Sequence, residues 1–127
     1  MNILHLMSAR HFVGEAARVL DLAQGQLEAG HAVRLIVREG YATAEETARR
    51  GLPHETAVMR SGFHPLSEAR DISLIRRVIR MMKTDVVHVH RGKDHWLGAM
   101  ALTGQRHIPL IRSRHVIMPI RNHIANR

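Results

Sequence analysis

The stretch Asp85-Val86-Val87-His88-Val89-His90-Arg91-Gly92 decides the fold class of this chain. Residues 86–89, three valines with His88 among them, are too few for a helix and rich in β-branched side chains, which is typical of a strand covered on both faces. The sequence turns polar immediately afterwards. Because ligands of open parallel sheets bind outside the carboxyl ends of the strands, the loop over residues 90–95 is the first candidate site.

The remaining sequence predicts further strands and helices in alternation. Strands are predicted over residues 2–7, 32–37, 56–59 and 108–111, and helices over residues 15–29, 43–50, 71–83, 94–104 and, just beginning, 119–127. Residues 61–67 are predicted to form a loop. A strand, a helix and a second strand with short connections almost always cross over right-handed into a parallel sheet. We therefore predict an α/β domain built on a parallel sheet.

Composition limits the function classes. The 127 residues fit a single domain, residues 1–127, and 19 Lys and Arg against 11 Asp and Glu give a net charge of +8. Anionic partners are therefore expected: a phosphate-bearing small molecule, nucleic acid or an acidic membrane surface. Four aromatic residues are too few for a base-stacking platform, which disfavours nucleic acid. Without cysteine or a signal-like segment, we expect a cytoplasmic protein.

The loop over residues 8–14 joins the first strand to a helix N-terminus, where free N–H groups and the helix dipole favour a phosphate. Gly14 would let the backbone approach such a ligand closely. The spacing matches neither Gly-x-Gly-x-x-Gly nor a Walker loop, so a dinucleotide enzyme or P-loop NTPase is disfavoured. Glu39, after the second predicted strand, stands where a dinucleotide-binding domain places its ribose-binding acid. Without the glycines of that motif, this signal is weak. A plain strand-to-helix turn remains the alternative.

Histidines are frequent around the central strand. His88, His90 and His95 raise the possibility of a metal cluster, but no carboxylate or cysteine completes the set at suitable spacing, so we expect no metal. Histidines in a buried strand are more often satisfied by their neighbours. His90 and His115 end two adjacent strands and would face one crevice. There they can donate to sugar or phosphate oxygens, or act as acid or base.

The helix predicted over residues 71–83 carries a basic stripe of Arg76, Arg80 and Lys83. Such a stripe is most often a solvated face. The alternative is peripheral contact with an anionic membrane, at the inner face of the cytoplasmic membrane.

Several segments together resemble the N-terminal domain of the family 4 (group 1) glycosyltransferases, which have the GT-B fold. They are residues 1–7, 14–23, 30–33, 85–90 and 108–115. The resemblance covers nearly the whole chain in the right order. It implies a Rossmann-like, three-layer α/β/α domain whose parallel strands are ordered 3-2-1-4-5.

The resemblance implies a retaining glycosyltransferase that moves a sugar from a nucleotide-sugar donor to a glycan or lipid-linked acceptor in cell-envelope glycan synthesis. It implies no cofactor and no catalytic metal, and it assigns the acceptor to this domain. Gly14 would contact the donor phosphates, His115 would act near the reaction centre, and His90 would line the acceptor side. Charge and loop position add three acceptor-side residues, namely Arg10, Arg91 and Lys93.

Two departures from the family pattern stand out. Val13 replaces the first of two glycines that often precede the first helix, which weakens the expected phosphate contact. The sequence lacks the C-terminal donor domain of the family, so we expect this chain to be inactive alone. We also expect the N-terminal domain, residues 1–127, to be incomplete at its C-terminal end. The rival interpretation is a stand-alone sugar-phosphate-binding or interaction module without catalysis.

Overall fold

The computed structural model describes residues 1–10, 14–105 and 107–113. Its centre is one five-stranded parallel sheet in the order β3-β2-β1-β4-β5. The strands are β1 (Asn2–Met7), β2 (Ala32–Arg38), β3 (His54–Ala57), β4 (Val86–Val89) and β5 (Leu110–Arg112). The predicted fold class and strand order are confirmed.

Helices cover both faces of this sheet. They are α1 (Gly14–Glu28), α2 (Ala42–Arg49), α3 (Pro65–Met82) and α4 (Gly92–Ala101). Successive residues of a strand point to opposite faces, so β1 contributes to two cores. Ile3 and Met7 pack with Leu20 of α1, whereas Leu4 and Leu6 belong to the core that includes side chains of α3 and α4.

The region around β3 differs from the sequence prediction. Strand β3 ends at Ala57, and Met59 has a φ of 46°, a left-handed conformation that cannot continue a strand. The Asp71 carboxylate accepts the N–H groups of Val58 at 3.1 Å and Met59 at 2.7 Å. These two bonds fasten the segment after β3 to helix α3 and set the floor of the crevice described below.

Helix α3 begins at Pro65 rather than residue 71, so the end of the predicted 61–67 loop is helical. Proline is well suited to the first helical turn because its missing N–H has no helical acceptor there. The Glu68 carboxylate accepts the backbone N–H of His64, the N-cap residue of α3, at 3.1 Å, and this bond stabilises the start of the helix. Polar residues in the first turn conceal this start from a search for apolar periodicity.

Within the ranges given above, no helix is long and apolar enough to cross a membrane. The predicted helix over residues 119–127 lies outside those ranges.

Candidate functional site

A crevice of about 610 Å³ opens at the carboxyl edge of the sheet. Its walls are formed by segments that directly follow β1, β3 and β4, by the last residue of β2 and by the first turns of α3 and α4. The lining residues are Ser8, Arg10, Arg38, Met59, Ser61, Gly62, Phe63, Glu68, Arg91, Gly92, Lys93 and Trp96. This is where a parallel α/β sheet places ligands.

Lys93 and Glu68 form an ion pair on one wall of the crevice. The Lys93 ammonium also donates to the Gly62 carbonyl at 2.8 Å and lies 5.7 Å from the centre of the Trp96 ring. The hydrogen bond from Lys93 lowers the pKa of Glu68, so this carboxylate stays charged. The pair holds the loop at Gly62 against the start of α4.

Arg91 reaches from the N-cap of α4 to the start of α1. Its Nη1 lies 2.5 Å from Oε1 of Glu15, the second residue of α1. Gly14, the first residue of that helix, is exposed, and a Cβ built on it would meet no atom within 4 Å. Arg10, which follows β1, is exposed and lines the crevice.

Asp94 is fully buried behind the crevice, at the third position of α4. Its Oδ2 accepts the backbone N–H of Arg91, the N-cap residue of α4, at 3.0 Å and so satisfies a free donor at the start of this helix. Burial raises the pKa of Asp94 to about 7, against the opposing effect of hydrogen bonds from Ser8 and the local backbone. The Asp94 carboxyl group is therefore expected to change its protonation near neutral pH. Its bond to Arg91 fastens the end of the loop after β4 to the first turn of α4.

Arg38, at the carboxyl end of β2, is a crevice residue that the sequence analysis did not select. Its side chain is 9% exposed, its Nη1 lies 3.5 Å from Ser61 Oγ, and its Cζ lies 5.0 Å from the Tyr41 ring centre. The next residue, Glu39, which stands at the place of a ribose-binding acid, is exposed and does not line the crevice. The sequence did contain a signal for Arg38, because this residue directly follows the strand predicted over residues 32–37, where ligands of a parallel sheet bind.

Three imidazoles cluster on the α1 face of the sheet, beneath the crevice. His5 of β1 lies beside His88 of β4, and the Nδ1 of His5 is 3.1 Å from the Nε2 of His90. On the outer side, His5 Nε2 is 2.7 Å from Gln26 Oε1, and His88 Nε2 is 2.5 Å from Ser113 Oγ. Burial lowers the pKa of His5 to about 4 and keeps it neutral.

This cluster meets the spacing of a metal site, because one ring nitrogen from each histidine lies within 4.8 Å of the others. It differs from the cluster considered in the sequence, since His5 takes the place of His95. His95 instead places its Nδ1 3.4 Å from Arg112 Nη1. A divalent metal bound here would have to displace the hydrogen bond between His5 and His90. None of the three imidazoles lines the crevice.

The structure thus brings together three of the six predicted site residues, Arg10, Arg91 and Lys93, around one crevice. Gly14 lies beside them through the contact of Glu15 with Arg91. His90 is 3% exposed and belongs to the imidazole cluster. His115 lies outside the described residues.

A sequence comparison decides the family. Residues 14–127 match the sequence model named Glycosyltransferase Family 4. The chain belongs to glycosyltransferase family 4. The resemblance drawn from the sequence is confirmed, although a search of curated proteins finds no significant match to this family 4 chain.

Solved structures share the fold of the family 4 domain. A glycosyltransferase from Rickettsia africae ESF-5 superimposes with a TM-score of 0.74 at 20% identity, covering 95% of this chain and 31% of that one. MurG from Acinetobacter baumannii gives 0.71 at 15% identity, covering 90% and 35%. UDP-GlcNAc 2-epimerase from Neisseria meningitidis, bound to UDP-GlcNAc, gives 0.64 at 14% identity, covering 88% and 32%. The chain spans about a third of each.

Proposed function

We propose that this domain is the acceptor-binding part of a retaining glycosyltransferase, which transfers a sugar from a nucleotide-sugar donor to a glycan or lipid-linked acceptor. The observation that carries the proposal is a cationic crevice, with Arg10, Arg38, Arg91 and Lys93 in its walls, in a chain of this family. A neighbouring fold that binds UDP-GlcNAc supports a nucleotide-sugar donor.

The donor phosphates are assigned to the start of α1. Backbone N–H groups at a helix N-terminus, together with the helix dipole, favour an anion. Gly14 supplies the first helical residue without a side chain in the way, and Arg91 stands close by through its ion pair with Glu15. Arg10, Arg91 and Lys93 are assigned to the acceptor side.

We propose that the transfer uses no catalytic metal and no cofactor. The developing charge on the sugar and the departing diphosphate would be stabilised by preorganised N–H groups and cations. The imidazole cluster beneath the sheet faces α1 through the contact of His5 with Gln26, so it is not positioned to touch a substrate in the crevice. Its proposed role is to hold β1 and β4 together.

Membrane attachment is a separate part of the proposal. Arg76 donates to the carbonyls of Ala101 at 3.3 Å and Met100 at 3.2 Å, so it caps α4. Arg80 and Lys83 are exposed and remain the candidates for contact with anionic lipid at the cytoplasmic face. Binding to phosphatidylserine vesicles should weaken as salt rises, and binding that does not change with salt would contradict an electrostatic lipid contact by Arg80 and Lys83.

Gly14 gives the sharpest test of the donor assignment. In protein expressed from the complete gene, Gly14→Ala should raise the donor KM by about tenfold or more, because a methyl group would obstruct the phosphate. The fold should tolerate it, since no atom lies within 4 Å of the new Cβ. Gly25→Ala in the same helix, equally unobstructed, is the matched control. Equal donor KM values for the two variants would contradict the assignment.

His115 is assigned to the reaction centre on the family resemblance. His115→Ala in the protein from the complete gene should lower kcat by about 100-fold or more while the donor still binds. Unchanged turnover would remove His115 from the site. If nucleotide-sugars bind but are never turned over, the stand-alone binding module becomes the better interpretation.

A further inference from the structure

Arg38 is a buried cation at the edge of the crevice. The residue is 91% buried by accessible area, yet it lines the cavity that a ligand would occupy. Among the residues that the structure describes, its Nε–H has no acceptor. Its one side-chain hydrogen bond there is the long contact of 3.5 Å with Ser61 Oγ.

No carboxylate side chain neutralises Arg38. All 11 Asp and Glu residues of the chain lie within the described ranges, and none of the ion pairs in those ranges includes Arg38. The carboxylate in the crevice wall, Glu68, already pairs with Lys93. Arg34, on the same strand and the same face, shows the usual arrangement, because it pairs with Glu55 at 3.3 Å.

A buried guanidinium without a counter-ion is costly, and proteins normally pair such a charge. The cost is removed when a ligand brings the negative charge. The guanidinium fork matches the oxygens of a phosphate or carboxylate, and the contact with the Tyr41 ring orients the fork. Arg10 adds a second positive charge on the crevice wall, and it forms no ion pair within the described part of the chain.

We infer that the acceptor carries an oxyanion, a phosphate or a carboxylate, and that Arg38 binds it in the crevice. This inference rests on the proposed function for the assignment of the crevice to the acceptor. It adds the chemical class of the acceptor and the residue that selects it. A neutral glycan would leave the Arg38 charge uncompensated, so it would bind more weakly than its phosphorylated or carboxylated counterpart.

The first experiment titrates the ¹⁵N-labelled chain with inorganic phosphate and, separately, acetate, and follows the arginine Nε–H resonances by NMR. The Arg38 Nε–H resonance should shift in a saturable way. Of phosphate and acetate, the anion that the site prefers should reach saturation at the lower concentration. Arg38→Gln should weaken binding at least about tenfold, whereas Arg34→Gln should leave it unchanged. Equal binding by the two variants would overturn the inference.

A second variant covers the possibility that Arg38→Gln folds poorly. Arg38→Met removes the charge but keeps an unbranched apolar stem, so in phosphate-free buffer it should raise Tm by about 2–5 °C. Phosphate should raise the Tm of the wild-type chain and not that of Arg38→Met. A lower Tm for Arg38→Met in phosphate-free buffer would show that the guanidinium is already satisfied inside the fold, and the inference would fail.

Competition separates the acceptor from the donor. Saturating UDP should not displace phosphate from Arg38, and in the protein from the complete gene Arg38→Gln should raise the KM of an anionic acceptor while the donor KM stays constant. Displacement by UDP would assign Arg38 to the donor and overturn the inference. Absence of sugar transfer with intact phosphate binding at Arg38 would instead count against the proposed function alone.

Discussion

Burial sets the protonation of two side chains around the site, His5 and Asp94, in opposite ways. Burial of a charged form is unfavourable, so the imidazole loses affinity for a proton and the carboxyl group gains it. Sequence alone could not give either result. The mostly apolar sequence of β1 indicates a buried strand, but the proximity of His5 to His90 depends on which strands are neighbours.

The shift of His5 predicts that acid destabilises the fold. Its pKa is about 4 in the folded chain against an ordinary value of 6.5, so the unfolded chain binds more protons between these values. The associated stability is present above pH 6.5 and is lost as pH falls towards 4, up to about 3 kcal/mol. Urea unfolding in EDTA across this range should show the slope. His5→Gln should flatten it, and exposed His107→Gln should not.

Asp94 predicts the opposite slope. Its pKa of about 7 in the folded chain exceeds the ordinary 3.8, so the folded chain binds more protons between these values and stability falls as pH rises. The loss is up to about 4 kcal/mol. Asp94→Asn keeps an acceptor for the Arg91 N–H, so it should be more stable than wild type at pH 8. A less stable Asn variant at that pH would contradict the assigned pKa shift.

At the scale of elements, the accuracy of the sequence predictions follows the strength of the local pattern. Strands β1 and β4 were predicted with their correct ends, because each is a short, mostly apolar run interrupted by one histidine and followed directly by polar residues. Helix α3 was predicted too short and β3 two residues late. Their limits depend on the left-handed Met59 and on the Asp71 bonds across the chain, which periodicity cannot reveal.

Helix α4 packs closely on the sheet through Gly98, which predicts opposite effects for two glycine substitutions. A Cβ at Gly98 would lie 3.2 Å from methyl groups of Leu6, Val89 and Leu110 at once. Gly98→Ala should therefore cost about 1–2 kcal/mol, since crowding outweighs the gain in helix propensity. Gly25→Ala, at an exposed position of α1, meets no atom within 4 Å and should add about 0.5–1 kcal/mol of stability. Chemical denaturation checks both, and a stabilised Gly98→Ala would refute close packing here.

At the scale of the whole molecule, the sheet order could be predicted because the family resemblance supplies a topology that local patterns do not contain. The rule that ligands of a parallel sheet bind at the carboxyl ends of its strands then located the crevice and three of its cations, Arg10, Arg91 and Lys93. It did not locate Arg38 or Glu68. Arg38 directly follows the strand predicted over residues 32–37, so this rule could have found it, whereas Glu68 reaches the crevice because α3 begins at Pro65.

The central claim is that this crevice belongs to an enzyme that transfers sugar from a nucleotide-sugar. The most direct measurement incubates protein expressed from the complete gene with uridine-, guanosine- and thymidine-diphosphate sugars and detects released nucleoside diphosphate by mass spectrometry, with and without phosphorylated acceptors. We expect slow release of nucleoside diphosphate from one donor class, accelerated by an anionic acceptor and lost in His115→Ala. A folded protein that leaves every donor intact would contradict it.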